Sequence, residues 1–236
     1  MTTASWPVQR RKVLRDATGI GLAVGAYGLS YGALATASGL SVLQTCALSV
    51  LTFTGGSQFA LVGVLGSGGS AASGVATALL LGSRNTLYGL RLAPTLQVSG
   101  ARRAVAAHLT IDESTAMAVG QDDDQSARLA FWATGLAVFV FWNVATLLGA
   151  VGATALGDPK ALGLDAAVGA AFLALLWPRL RDRGAWVVAL LGASVALALT
   201  PLVSPGLPIL AAGVVAVAVG LRIPAVAQPA QGSGAT

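Results

Sequence analysis

The sequence predicts an all-α, polytopic bundle of about six to seven transmembrane helices, with one broken or re-entrant helix near residues 53–60. Three observations carry this. Hydrophobic residues make up 55% of the 236 and charged residues only 10%, far below the quarter that a water-soluble domain carries. From Ala17 to Ser83 there is no Asp, Glu, Lys or Arg, and a crossing needs roughly 20 apolar residues, so that run alone supplies about three passes. Further uncharged runs cover Leu129 to Gly157 and Gly184 to Leu221, with a shorter one from Ala166 to Pro178.

In order, the expected spans are 17–37, 70–92, 129–155, 162–178, 185–200 and 206–222, the last two divided by Thr200-Pro201 and Ser204-Pro205-Gly206. Residues 1–16 form a basic N-terminus, 17–222 the membrane domain and 223–236 a disordered tail rich in Pro, Gln, Gly and Ser. Arg10-Arg11-Lys12 before an apolar stretch resembles an export signal, but the chain beyond it is again membrane protein, so a first span is the preferred reading. Cys46 is the single cysteine, which excludes an internal disulfide and a multi-cysteine metal cluster.

The net charge of +5 does not point to nucleic acid, because the basic residues cluster beside spans rather than along one face. Arg10, Arg11, Lys12 and Arg15 precede the first span; Arg102, Arg103 and Arg128 flank the middle; Arg179, Arg181 and Arg183 lie beyond 162–178; Arg222 comes after the last. Placing all of these in the cytoplasm, with Lys160 outside, requires one element that does not cross simply. Either 42–65 is a re-entrant hairpin or 104–119 is an additional broken crossing, and the first is preferred because it also puts Arg102 and Arg103 inside.

Gly21, Gly25, Gly28 and Gly32 share one stripe of the first span and predict close approach of a second helix, with Ser30 and Tyr31 as the alternative lining of a substrate route. Gly55-Gly56 invites a break, and Ser57 and Gln58 offer hydrogen-bonding groups there. Non-helical backbone at membrane depth must be buried in protein or line a watery cavity. Half-helix ends at such breaks present partial charges to a substrate. Arg84, Tyr88 and Arg91 fall on one face of the next helix, with Asn85 beside them. A buried arginine needs an interior partner, and Asp112 or Glu113 either supplies it or carries a proton. The bland reading of 104–119 is an amphipathic helix with a solvated acidic face. Asp122-Asp123-Asp124 reads as a solvated turn, and Asn143 as helix glue or a substrate contact. No Gly-x-x-x-x-Gly-Lys-Ser/Thr phosphate loop occurs, so direct use of ATP is not expected; nor are a cofactor, a metal or an enzymatic activity. The enzyme alternative is a Ser57–His108 dyad, which requires the two side chains within hydrogen-bond reach.

The runs Gly28-Leu29-Ser30-Tyr31-Gly32-Ala33-Leu34-Ala35, Ala37-Ser38-Gly39-Leu40-Ser41, Phe53-Thr54-Gly55-Gly56-Ser57-Gln58-Phe59-Ala60 and Arg84-Asn85-Thr86-Leu87-Tyr88-Gly89-Leu90-Arg91-Leu92-Ala93-Pro94, with Asp112-Glu113, carry a resemblance. In these the chain resembles the AzlC family of branched-chain amino-acid permeases, the large subunit of LIV-E exporters, over most of residues 20–120. Where that family has Asn-x-Arg-His, this chain has Gly82-Ser83-Arg84-Asn85. The resemblance implies a multi-pass secondary transporter of the bacterial inner membrane, exporting branched-chain amino acids with a small AzlD-type membrane subunit; the charge pattern puts its N-terminus in the cytoplasm. Gly55, Gly56, Ser57, Gln58, Arg84, Asn85, Tyr88, Tyr31 and Asn143 are the candidate substrate contacts, and Asp112 and Glu113 the candidates for proton coupling. An exporter of another small metabolite and a non-transporting assembly subunit are the alternatives.

Overall fold

The computed structural model describes residues 6–156 and 183–221, with 173, 176, 177 and 180 between them; the expected span 162–178, Lys160, Arg179, Arg181, Arg222 and the tail lie outside the described residues or almost so. Among the described residues every regular element is helical. Helix α1 is Trp6–Ala37, α2 Val42–Leu51, α3 Gly56–Gly66, α4 Ala71–Gly82, α5 Arg84–Leu96, α6 Gly100–His108, α7 Asp112–Val119 and α8 Asp124–Leu156. Beyond these, α9 is Arg183–Leu199 and α10 is Leu207–Gly220. Helices α1 and α8 are both long and apolar enough to cross a membrane. Arg10, Arg11, Lys12 and Arg15 lie in α1, in one helix with the apolar residues that follow them.

The two long helices run parallel and form the centre of the fold. Along α1 the glycine stripe meets α8 in register: a Cβ on Gly21 would come within 2.9 Å of Ala137 Cβ, one on Gly25 within 2.7 Å of Phe141 Cβ, and one on Gly28 within 2.6 Å of the Trp142 carbonyl. Gly32 lies against the Thr146 carbonyl, and Gly149 of α8 returns the contact against Leu29. Without side chains between them, the two backbones approach until main-chain atoms touch. In an apolar solvent that packing, rather than hydrophobic burial, is what holds helices together. At one end Gln9 Nε2 donates to Gln121 Oε1 (3.1 Å), tying the start of α1 to the turn before α8. In that turn Asp123 accepts from the Ser126 N–H (2.8 Å), which caps α8 and holds the Asp123 carboxyl below the usual carboxylate range. We call this the basic end, since Arg10, Arg11, Lys12 and Arg15 lie at the start of α1 and Arg128 Nε donates to the Thr95 carbonyl (2.7 Å) at the end of α5.

Two pairs of short helices enter this frame from opposite ends. Helices α2 and α3, of 10 and 11 residues, are each about 15 Å long, half the hydrocarbon thickness. Ser41, with Gln44, caps α2 at the far end of α1, and α3 comes back to that same end, where a Cβ on Gly66 would lie 2.6 Å from Ser38 Oγ. The segment 42–65 is therefore a helical hairpin that leaves and returns to the same end of α1, the geometry that a re-entrant element requires. Residues 104–119 behave the same way from the basic end. Helix α6 starts just after α5 ends, and α7 finishes beside Arg91, Thr95 and Gln121. A solvated amphipathic helix does not describe it, because Leu109, Thr110, Ile111, Ser114 and Thr115 are all buried.

Helices α4 and α5 run nearly continuously through Ser83, whose backbone is itself helical, from the far end to the basic end. Helix α10 lies along α4, Gly213 against Leu80, with Ser73 Oγ donating to the Pro205 carbonyl (3.1 Å); α9 pairs with α10 as a helical hairpin. Replacing Gly28 by Leu should separate α1 from α8. Overpacking of this kind costs about 1–3 kcal/mol, so the purified variant should melt several degrees below the parent in detergent, while Gly89→Ala, whose Cβ would meet nothing, should not.

Candidate functional site

The tips of the two re-entrant hairpins meet halfway along the α1–α8 pair. Phe53, in the first tip, lies with its ring centroid 5.9 Å from His108, at the end of α6, and both pack on Phe139 of α8. Each tip is stitched by one side chain three residues after the helix cap. In the first, Gln58 accepts from the Gly55 N–H (3.1 Å) and donates to the Leu48 carbonyl (3.2 Å). In the second, Ser114 Oγ accepts from the Ile111 N–H (3.1 Å) and donates to the Leu109 carbonyl (2.6 Å). These bonds occupy backbone groups that the breaks leave free, groups that apolar surroundings cannot satisfy. Gly55 turns with φ 61°, a left-handed conformation that favours glycine.

Between the tips lies a cavity of about 70 Å³. Its walls are apolar and aromatic on the side of α1, α3 and α8, where Val24, Tyr27, Phe59, Val138 and Trp142 line it, and polar on the side of α5 and α7, where Arg84, Asp112 and Glu113 do. The N-termini of α3 and α7 both border it, so two sets of partly positive helix ends face one space. Arg84 Nη1 lies 2.9 Å from Asp112 Oδ2, with roughly a third and a quarter of the two side chains exposed, so the expected interior partner of Arg84 is Asp112. Thr54 Oγ1, Arg84 Nε and Trp142 Nε1 line or border the same cavity, are buried, and have no hydrogen-bond partner among the described residues. Buried donors are rarely left unused, and a cavity is where water or a ligand would use them.

Of the sequence-derived candidates, Gly55, Gly56, Arg84, Asp112 and Glu113 line the cavity. The others, Tyr88 of α5 among them, do not line it. Gln58 is wholly occupied by backbone, and Ser57 is buried towards α4, 3.3 Å from where a Cβ on Gly82 would stand. Asn143 donates to the Phe139 carbonyl one turn back in its own helix (2.8 Å). Asn85 lines a separate groove on the α6 side of α5. Tyr31 is fully buried behind the site, stacked on Trp142 at 5.9 Å and edge-on to Phe59 at 5.6 Å, so it supports the aromatic wall rather than lining a route. Sequence reasoning passed over Trp142, although it adjoins Asn143, and Ser114. Both carry a polar hydrogen, but which helix face meets the cavity, and which hydroxyl reaches back across a hairpin tip, is set by packing rather than by spacing. No hydrogen bond joins Ser57 to His108; the imidazole packs between Phe53 and Phe139.

A family model described as AzlC protein matches residues 19–156, more than half of the chain and all of the elements that build the cavity. The chain belongs to the AzlC family. AzlC is a transporter family, and that membership and the apolar helices together make this a membrane protein with a transport-related function. No curated protein and no solved structure matches the chain. The matched region ends with α8, so α9 and α10 lie beyond the part that defines this chain as AzlC.

The stitching of the tips gives a test by stability. Leaving a buried polar group without its partner costs about 1–3 kcal/mol, so Gln58→Leu and Ser114→Ala should each lower the melting temperature of the purified protein. Asn143→Leu, whose removal frees no partner outside its own helix, should change it much less.

Proposed function

We propose that this AzlC protein is a secondary transporter that exports branched-chain or related small neutral amino acids across the bacterial plasma membrane, together with a small AzlD-type membrane subunit. The observation that carries the reading is the division of one cavity into a wall holding Arg84, Asp112 and Glu113 and an opposite wall of aliphatic and aromatic side chains. A zwitterion with an apolar side chain has the same division. Its carboxylate matches Arg84 and the N-terminus of α3, its ammonium matches Asp112 or Glu113, and its side chain matches Val24, Phe59, Val138 and Trp142.

In this reading the Arg84–Asp112 pair is the empty-state substitute for the substrate. Each charged group already has a counter-charge, so the cavity does not leave an isolated ion at membrane depth, where one costs several kcal/mol. Substrate entry replaces one pair by two, and Asp112 or Glu113 takes up or gives back a proton as the pair opens, which couples flux to the proton gradient. Charged termini in the cavity would also loosen the contact between the two hairpin tips. Each hairpin enters from one side only, an arrangement suited to exposing a central site alternately. Clustering of positive charge at the basic end supports a cytoplasmic N-terminus.

Two experiments test this. In proteoliposomes loaded with labelled leucine, with the small subunit present, Arg84→Ala and Asp112→Asn should each reduce efflux at least tenfold without loss of folded protein. Wild-type rates in both variants would exclude the pair as the substrate site. Val138, fully buried and on the apolar wall, should set size: Val138→Ala should raise the rate for phenylalanine relative to valine, and Val138→Phe should suppress leucine more than alanine. Unchanged ratios would place the side-chain pocket elsewhere.

A further inference from the structure

Helices α5 and α6 diverge as they leave the basic end, and the space between them is a second, larger cavity of about 590 Å³. It is separate from the charged site, being lined from the opposite face of α5 by Asn85, Gly89, Ala93 and Leu96 and from α6 by Arg103 and Ala107. We propose that this groove holds one acyl chain of an anionic phospholipid, with the phosphate on Arg103.

The groove's length, polarity and charge all fit that occupant. From Asn85 to Leu96 along α5 is about 16 Å at 1.5 Å per residue, close to the hydrocarbon depth of one leaflet, about 15 Å. Its lining is mostly apolar along that length, with Asn85 and Thr110, the residues farthest from the basic end, also lining it. A transmembrane helix from another protein would need a face twice as long, since it crosses both leaflets. The mouth opens at the basic end, where Arg103 is exposed, with the exposed Arg102 beside it, and neither forms an ion pair among the described residues. An arginine at the rim of an apolar slot matches a phosphodiester above an acyl chain, each basic side chain near the surface adding about 1 kcal/mol to anionic-lipid binding. At the centre of the floor, Gly89 leaves the slot open: a Cβ there meets no atom within 4 Å.

The test uses the full chain in dodecylmaltoside, with phosphatidylglycerol or phosphatidylcholine added at equal chain length, read by native mass spectrometry and by thermal melting. Phosphatidylglycerol should form a one-to-one adduct and raise the melting temperature, and phosphatidylcholine should do so far less. Arg103→Gln should weaken the phosphatidylglycerol adduct roughly fivefold, as expected for loss of one such charge. Gly89→Leu should plug the slot and abolish the adduct for both lipids; Arg103→Gln, a surface change, keeps the proposal testable should that variant fold poorly. Equal responses to the two lipids, or a full phosphatidylglycerol adduct in Arg103→Gln, would overturn it, the first by making the groove a general lipid contact or the seat of another protein. Because leucine efflux is not part of the readout, the lipid site and the transport reading stand or fall separately.

Discussion

The constraint on which this structure depends is that freed backbone N–H and C=O groups have no partners in hydrocarbon. Two helices are broken at the middle of the bundle, at 52–55 and at 109–111, and every other feature of the site stems from how those breaks are satisfied. Gln58 and Ser114 bond back across their own tips. The tips then shield one another, Phe53 against His108, and both lean on Phe139. The cavity between them is polar on one side, where Arg84, Asp112 and Glu113 line it, and apolar on the other, where α1 and α8 run past unbroken.

Length supports the same economy. A hairpin of two helices of about 15 Å reaches the middle and no further, so neither tip alone could carry a site facing both compartments. Two hairpins from opposite ends can. They need a rigid backing, and the α1–α8 pair supplies it through contacts that leave no room for a methyl group at Gly25 or Gly28. That pair is the frame on which both hairpin tips pack.

Much of this was legible in the sequence. The charge-free run from Ala17 to Ser83 announced membrane helices, the four-three-four spacing of glycines announced a close helix partner, and Gly55-Gly56 announced a break. Arg84 demanded a counter-charge, and the acidic pair at 112–113 was the nearest supply. Other features were hidden for physical reasons. The charge pattern required one element that does not cross, and a second re-entrant hairpin keeps the count unchanged only because it enters and leaves on one side. Gln58 looked like a ligand group because a buried amide needs partners, but sequence does not say whether those partners are backbone or substrate. Trp142 was overlooked beside Asn143, since packing alone decides which helix face meets the cavity and so leaves the indole N–H bordering it.

The hydrogen bond from Ser49 in the first hairpin to Thr146 in α8, 3.3 Å long and buried, joins residues 97 positions apart. A ribosome adding about 5–20 residues per second finishes the hairpin several seconds before the helix that will cover it exists. During that interval α2 and α3 are too short to span and too apolar to leave, and α1 is present without the partner its glycines require. Biogenesis of this protein therefore includes a waiting period in which a half-inserted segment must be sheltered, by the insertion machinery or by lipid at the surface, until synthesis reaches α8.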